Sequence, residues 1–215
     1  MKSGKNITLL ACDGDGTIWH YPGYYGSSWD AISQAFNLKE ECDGLLDYYY
    51  SRKGFDEEWA REHASLFKNK LIKEAEKYLY PIPYSKGVVD FFRNRSRDLK
   101  TGLVTAGFDI VAEVAKQELR LDFCYSNVLK RNNGIFTGEV EYNVPIRDKH
   151  FLFEKVCGNI PKEEIAYVGD AEGDVSFMKK IGLSIAFNPK DEKVTKAADY
   201  VIHDFKELTS ILNLR

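Results

Sequence analysis

The chain has 215 residues, a formal net charge of −3, and 44% hydrophobic against 29% charged residues. That is length and apolar content for one α/β domain with a small insertion. The balance holds no basic excess or like-charge run that would point to nucleic acid, and no apolar stretch approaches the roughly 20 residues of a membrane helix.

The first six residues run straight into an apolar segment, so no signal peptide is expected. Ile7 to Cys12 reads as a short strand buried on both faces. It ends in two carboxylates one residue apart, Asp13 and Asp15, with Gly14 and Gly16 allowing a sharp turn. Carboxylates at the end of a buried strand repel each other and resist desolvation, so a compensating cation is expected; hard Mg²⁺ suits oxygen ligands. Asp-Gly-Asp-Gly alone also fits an ordinary loop. A calcium loop would need Gly at Ile18 and Glu at Tyr24, and a dinucleotide fingerprint would need Gly at Trp19, so neither is present.

Residues 18–84 are aromatic and hold all three tryptophans, Trp19, Trp29 and Trp59. Tyr21 to Gly26 reads as a loop. Ser28 is placed to cap a helix whose Trp29, Ile32, Ala35 and Phe36 share a face. A second helical stripe runs through Trp59, His63, Leu66, Phe67, Leu71 and Tyr78, with Asp56, Glu57 and Glu58 in its first turn. Pro81-Ile82-Pro83 ends it like a hinge. This segment reads as a helical insertion placed directly after the aspartate loop.

From Ser85 onward helices and strands alternate. Val88, Val89, Phe91 and Phe92 lie on a helix. Thr101–Thr105 is a strand, turning at Ala106-Gly107 into a helix with Ile110, Val111, Val114 and Leu119. Cys124–Leu129 and Ile135–Val140 form a hairpin about Asn132-Asn133-Gly134. Lys149–Val156 is helical; Ile165–Val168 is a strand ending in Gly169-Asp170; Met178 and Ile181 share the next helix. Leu183–Phe187 and Tyr200–Ile202 are short strands. The alternation predicts a parallel sheet covered by helices, with ligands at the carboxyl ends of the strands. Cys12, Cys42, Cys124 and Cys157 are scattered and form no Cys-x-x-Cys pair, so they read as reduced core residues of a cytoplasmic protein rather than zinc ligands. His150 and His203 read as surface residues.

Four elements stand in chain order: Asp13-x-Asp15-Gly-Thr17, Thr105-Ala-Gly107, Lys149, and Gly169-Asp170-x-x-x-Asp174. Singly each has a bland reading, Thr105 as a turn hydroxyl, Lys149 as a solvated cation, Asp170 as a helix cap. In order, they resemble the haloacid dehalogenase superfamily of phosphotransferases over the whole chain. The resemblance is closest to its phosphoserine phosphatase-like branch, through Val104 to Ile110, Thr137 to Glu141 and Gly182 to Phe187.

The resemblance implies a Rossmann-like α/β core (1–17 and 85–215) with helices on both faces of a parallel sheet, and a helical cap (18–84). It further implies Mg²⁺-dependent hydrolysis of a small phosphomonoester, with Asp13 as nucleophile forming an aspartyl-phosphate and Asp15 as acid and then base. Asp13, the Asp15 carbonyl, Asp170 and Asp174 would serve the metal. Thr105 with the N–H groups near Ala106 and Gly107 would hold phosphate oxygens at a helix N-terminus, and Lys149 would join nucleophile and phosphate.

Two positions depart from that branch: Gly173 stands where an Asn is usual, and Pro22 falls where an acid engages the substrate's amino group. Substrate choice is therefore expected to come from the cap, with His20, Arg61 and Tyr48–Tyr50 as first candidates. A phosphomutase, or a phosphatase for a more aromatic or sugar-like ester, shares the same chemistry. The presence of Asp15 argues against a dehalogenase.

Overall fold

The computed structural model describes residues 6–23 and 26–213, so Tyr24 and Tyr25 of the expected loop lie outside the described residues. Strand β1 (Leu9–Cys12) is buried along its whole length, and its side chains alternate between two cores. Leu10 and Cys12 face one, Leu9 and Ala11 the other. This two-sided burial explains why the segment is continuously apolar.

Four helices follow: α1 (Ser28–Ala35), α2 (Lys39–Tyr50), α3 (Asp56–Ser65) and α4 (Ile72–Leu79). After α5 (Val88–Asn94) come β2 (Lys100–Phe108), α6 (Asp109–Leu119), β3 (Phe123–Asn132) and β4 (Ile135–Glu141). A 3₁₀ turn at Lys149–Leu152 leads into α7 (Phe153–Cys157). The chain continues through β5 (Ile165–Gly169), α8 (Glu172–Met178), β6 (Leu183–Phe187), α9 (Glu192–Ala197), β7 (Tyr200–Ile202) and α10 (Glu207–Ile211). The strands form one sheet in the order β4-β3-β2-β1-β5-β6-β7, parallel except for the antiparallel β3–β4 hairpin. Phe91, Val111 and Leu208 of α5, α6 and α10 cover one face; Val156, Phe177 and Val194 of α7, α8 and α9 cover the other.

Several expectations change in detail. The single helical stripe from Trp59 to Tyr78 is two helices, because the chain turns at Asn69, whose φ is 62°. Helix α2 has no counterpart in the sequence reading. Ile181 lies beyond the end of α8, and the helix expected from Lys149 begins as a 3₁₀ turn. Strand β2 does not stop at Thr105: a register irregularity between Val104 and Phe108 keeps it extended alongside β3.

The two connections to the helical segment are not open loops. His20 N donates to the Pro83 carbonyl at 3.0 Å and Ser85 N to the Ile18 carbonyl at 2.9 Å, so they pair as a short neck. At its far end the segment is bonded to the hairpin, Asn69 N to the Phe136 carbonyl (2.9 Å) and Phe136 N to the Lys70 carbonyl (3.0 Å). Its apolar residues are continuous with the sheet's core through Phe67, Phe108 and Phe136. Among the described residues no helix is long and apolar enough to cross a membrane.

Candidate active site

Register brings the site together. Cys12 pairs with Leu103 on one side and Val168 on the other, and Asp13 N donates to the Val168 carbonyl at 2.8 Å. The carboxyl ends of three neighbouring parallel strands therefore deliver Asp13, Thr105 and Asp170 to one place, the usual ligand position in such sheets.

Lys149 enters from the 3₁₀ turn, where the Asp148 side chain accepts from His150 N. Its side chain is 5% exposed, with the ammonium bonded to Asp13 Oδ1 and lying 2.7 Å from Asp174 Oδ1. Tyr167 donates to the same Asp174 oxygen at 2.7 Å, while Asp174 Oδ2 accepts from Asp170 N and Ala171 N, each at 3.1 Å. All four lone-pair sites of the Asp174 carboxylate are thus occupied by protein donors. Asp170 Oδ1 accepts from the Thr17 hydroxyl at 3.1 Å, and Lys190 Nζ lies 2.8 Å from its Oδ2.

Asp15 is gripped from the helical side. Its Oδ1 accepts from Trp19 Nε1 at 2.6 Å and Ser28 N at 2.7 Å; its Oδ2 accepts from the Ser28 hydroxyl at 3.1 Å. Ser28 therefore does not cap α1. Ser27 does, in a capping box with Asp30, which frees Ser28 for the carboxylate. Trp29 Nε1 donates to the Ala106 carbonyl at 3.1 Å, and its ring packs on Phe108 and on His63. His63 is buried, shares a hydrogen bond with the Ser33 hydroxyl at 3.2 Å, and is pushed down by burial to about 4, so it is neutral.

Burial pushes Asp13 well above the usual carboxylate range, against the pull of Lys149 and with Asp174 and Asp170 adding to the rise. Burial also raises Asp15, opposed by the Trp19 and Ser28 hydrogen bonds, and Asp170, opposed by Lys190. Burial works against the charge of Lys149, but Asp13 and Asp174 outweigh it and hold the ammonium above the ordinary lysine range. Three carboxylates (Asp13, Asp170, Asp174) meet two ammonium groups (Lys149, Lys190), so negative charge is left to be compensated before Asp15 is counted. Carboxylate oxygens of Asp13, Asp170 and Asp174 lie within 4.8 Å of one another. A hard-oxygen set with negative charge left uncompensated fits a divalent cation such as Mg²⁺.

The phosphate-holding segment differs from its expected setting. Thr105 is fully buried and its hydroxyl accepts from Gly107 N at 3.0 Å, but Thr105, Ala106 and Gly107 lie on the extended end of β2. Helix α6 begins at Asp109 with Phe108 as its N-cap, so the three residues lead directly into its N-terminus. Position 173 also has a physical account: a Cβ there would run into the Ile146 carbonyl, so the close approach of the 142–148 loop admits only glycine.

The cap candidates do not converge on Asp13. Arg61 pairs with Glu57 on the exposed face of α3 at 2.5 Å. Tyr48 and Tyr50 are exposed, Tyr48 lying beneath Arg52, and Tyr49 is buried against Trp59. His20 is exposed, as is His203, while His150 is half-buried beside Asp148. Sequence reasoning did not single out Trp19, Ser28, Trp29, Tyr167 and Lys190 as site residues. The Ser27-Ser28 pair before a capping-box Asp30 was a readable sign that one serine is spare; Lys190 carried no local signal.

Comparison with known proteins places this arrangement. A family model described as haloacid dehalogenase-like hydrolase matches residues 8–179, and a second of the same description matches 148–214. The chain is 31% identical over 190 residues to the phosphoserine phosphatase of Methanocaldococcus jannaschii, covering 86% of this chain and 88% of that protein. It is 35% identical over 198 residues to the phosphoserine phosphatase of Albidiferax ferrireducens, covering 86% and 81%. A solved phospho-aspartyl intermediate analogue of phosphoserine phosphatase superposes with a TM-score of 0.80 at 28% identity, over 97% of this chain and 100% of that one.

Proposed function

The chain belongs to the haloacid dehalogenase-like hydrolase family, and on that premise we propose that it hydrolyses small phosphomonoesters through Asp13 with the help of Mg²⁺. The observation that carries this reading is the wedging of Asp13 between Lys149 and Asp170, with Asp15 two residues on and held by three donors.

A carboxylate oxygen of Asp13 attacks phosphorus and the ester P–O bond breaks. The departing alcohol oxygen takes a proton from Asp15. Asp15, now ionised, takes a proton from the water that attacks the aspartyl-phosphate; phosphate leaves and Asp13 is regenerated. Lys149 screens nucleophile and phosphate from mutual repulsion, and Thr105 with the N–H groups of Ala106 and Gly107 orients the phosphate. Bound Mg²⁺, taking hard oxygens from Asp13, the Asp15 carbonyl and Asp170, would draw charge off the phosphate. Asp174, whose oxygens already accept from Lys149, Tyr167, Asp170 N and Ala171 N, holds Lys149 in place and would ligate a cation only by giving up one of these donors.

Residues 18–84 act as a cap: Asp13 is 5% exposed and Asp170 1%, so substrate enters only when the helical segment moves. Four free cysteines fit a cytoplasmic protein. Phosphoserine is the first substrate to test, given the relatives. A second reading, an ester with an uncharged aromatic or sugar-like alcohol, is favoured by the neutral groups bonded to Asp15, Trp19 and Ser28, and by the neutral Trp29–His63 ring pair on the same helical side.

The test is phosphate release from a panel containing phosphoserine, sugar phosphates, glycerol phosphate and p-nitrophenyl phosphate. Release should require Mg²⁺, stop in EDTA, and fall by about 10³-fold or more in Asp13→Asn, which loses the nucleophile but keeps its shape. Undiminished release in EDTA, or an Asp13→Asn variant within tenfold of wild type, would overturn the reading.

A further inference from the structure

The two ammonium groups of the site are held differently. Lys149 is 5% exposed and tied to two carboxylates and the Tyr167 hydroxyl. Lys190 comes from the loop between β6 and α9, and its side chain is 33% exposed. Its backbone is anchored, with Lys190 N donating to the Asp170 carbonyl at 2.9 Å, while its side chain is partly open to solvent. That ammonium lies 2.8 Å from Asp170 Oδ2, the oxygen not engaged by Thr17. It stands where the carboxylate would otherwise present a lone pair to a cation.

We propose that Lys190 is the resident counter-ion of Asp170 and that a divalent cation binds this site only by displacing the Lys190 ammonium. The proposal rests on the divalent-cation reading above. An internal cation at the ligand oxygen lowers the fraction of protein ready to bind, and apparent affinity falls by that fraction. The arrangement also keeps Asp170 compensated whenever the metal is absent, which a carboxylate 1% exposed requires. Its exposed stem and anchored backbone make Lys190 the replaceable partner, while Lys149 stays bound to Asp13 and Asp174. Lys190 is thus a positioning residue for Asp170, not a group that reacts.

Calorimetric titration of Mg²⁺ alone into metal-stripped protein, without substrate, tests this directly. Lys190→Gln and Lys190→Met should bind Mg²⁺ about tenfold more tightly than wild type, the effect of removing a competing contact of ordinary strength. Lys190→Arg, which keeps the charge, should stay near wild type. In the unmutated protein, the Lys190 side-chain NMR signal should shift as Mg²⁺ saturates the site. Equal or weaker affinity in the Gln and Met variants, a matching gain in the Arg variant, or an unmoved Lys190 signal would each overturn the proposal while leaving the metal reading standing. Failure of wild type to bind Mg²⁺ would remove both.

Discussion

The sheet side and the helical side of the site are built on opposite electrostatic plans. At the strand ends the ions are buried against one another: Lys149 and Asp13 are 5% and 7% exposed, and Asp174 1%. Between Ser28 and Leu79 most ions are outside, as in Lys39–Asp43 at 73% and 53%, with Asp56 against Arg147 the exception, and the buried polar groups are neutral, Ser28, Ser33 and His63. Exposed pairs one helical turn apart contribute roughly 0.3–0.5 kcal/mol each. Buried ones cost several kcal/mol in desolvation and are weak evidence for stability. The sheet side is therefore organised for charge chemistry at a net cost, and the helical side contributes shape, exclusion of water and uncharged donors to Asp15.

Asp15 is where the two plans meet, and its replacement carries the largest effect. Asp15→Asn should slow turnover of an alkyl phosphate by about 10²–10⁴-fold, the usual contribution of a general acid or base. With p-nitrophenyl phosphate, whose leaving group needs no proton, a stoichiometric burst of nitrophenolate should precede the same slow turnover. Loss of the burst along with turnover would show that Asp15 does not divide the two steps.

His63 tests the neutral plan. The folded protein holds it near 4, against about 6.5 when unfolded, so between these values the unfolded chain binds the extra proton. Stability should fall as pH drops from 6.5 towards 4, by up to about 3 kcal/mol, and this contribution should level off below. Urea unfolding of wild type and His63→Gln at pH 7 and pH 4.5 isolates it from the carboxylates. Parallel losses in the two proteins would mean His63 is not held neutral.

The smallest effect concerns how the two sides are fastened. Arg147, two residues before Lys149, pairs with Asp56 at 3.0 Å and donates to the Tyr49 carbonyl at 2.8 Å, joining the sheet side to α2 and α3. The pair is partly exposed, so Arg147→Ala should cost about 1 kcal/mol. Amide exchange across 39–65 should rise up to about fivefold, the equivalent of that energy. Unchanged exchange there would assign the fastening to the other joints, among them the backbone bonds between 69–70 and Phe136 and the Trp29 bond to Ala106.

Wherever burial on both faces and turn residues at each end coincided, the sequence alone determined the structure. Leu183–Phe187 was legible to the residue, and β1 with its aspartates stood out because a buried apolar run cannot end in two carboxylates without purpose. Helix α2 was not legible, since Cys42 and Tyr49 are its only buried residues and no stripe marks a face. The stripe that joined α3 to α4 hid a turn that needs Asn69 in the left-handed region. Arg61 and Tyr48 were proposed for the site, but they lie on the exposed face of their helices, and Tyr50, also exposed, lies beside Arg147 rather than at the aspartates. The tertiary structure alone decided which side chains serve the aspartates. Asp15 meets a serine 13 residues on and Asp170 a lysine 20 residues on, and neither spacing is a motif. Those contacts depend on strand register and on how α1 leans across the strand ends, and local sequence carries no record of either.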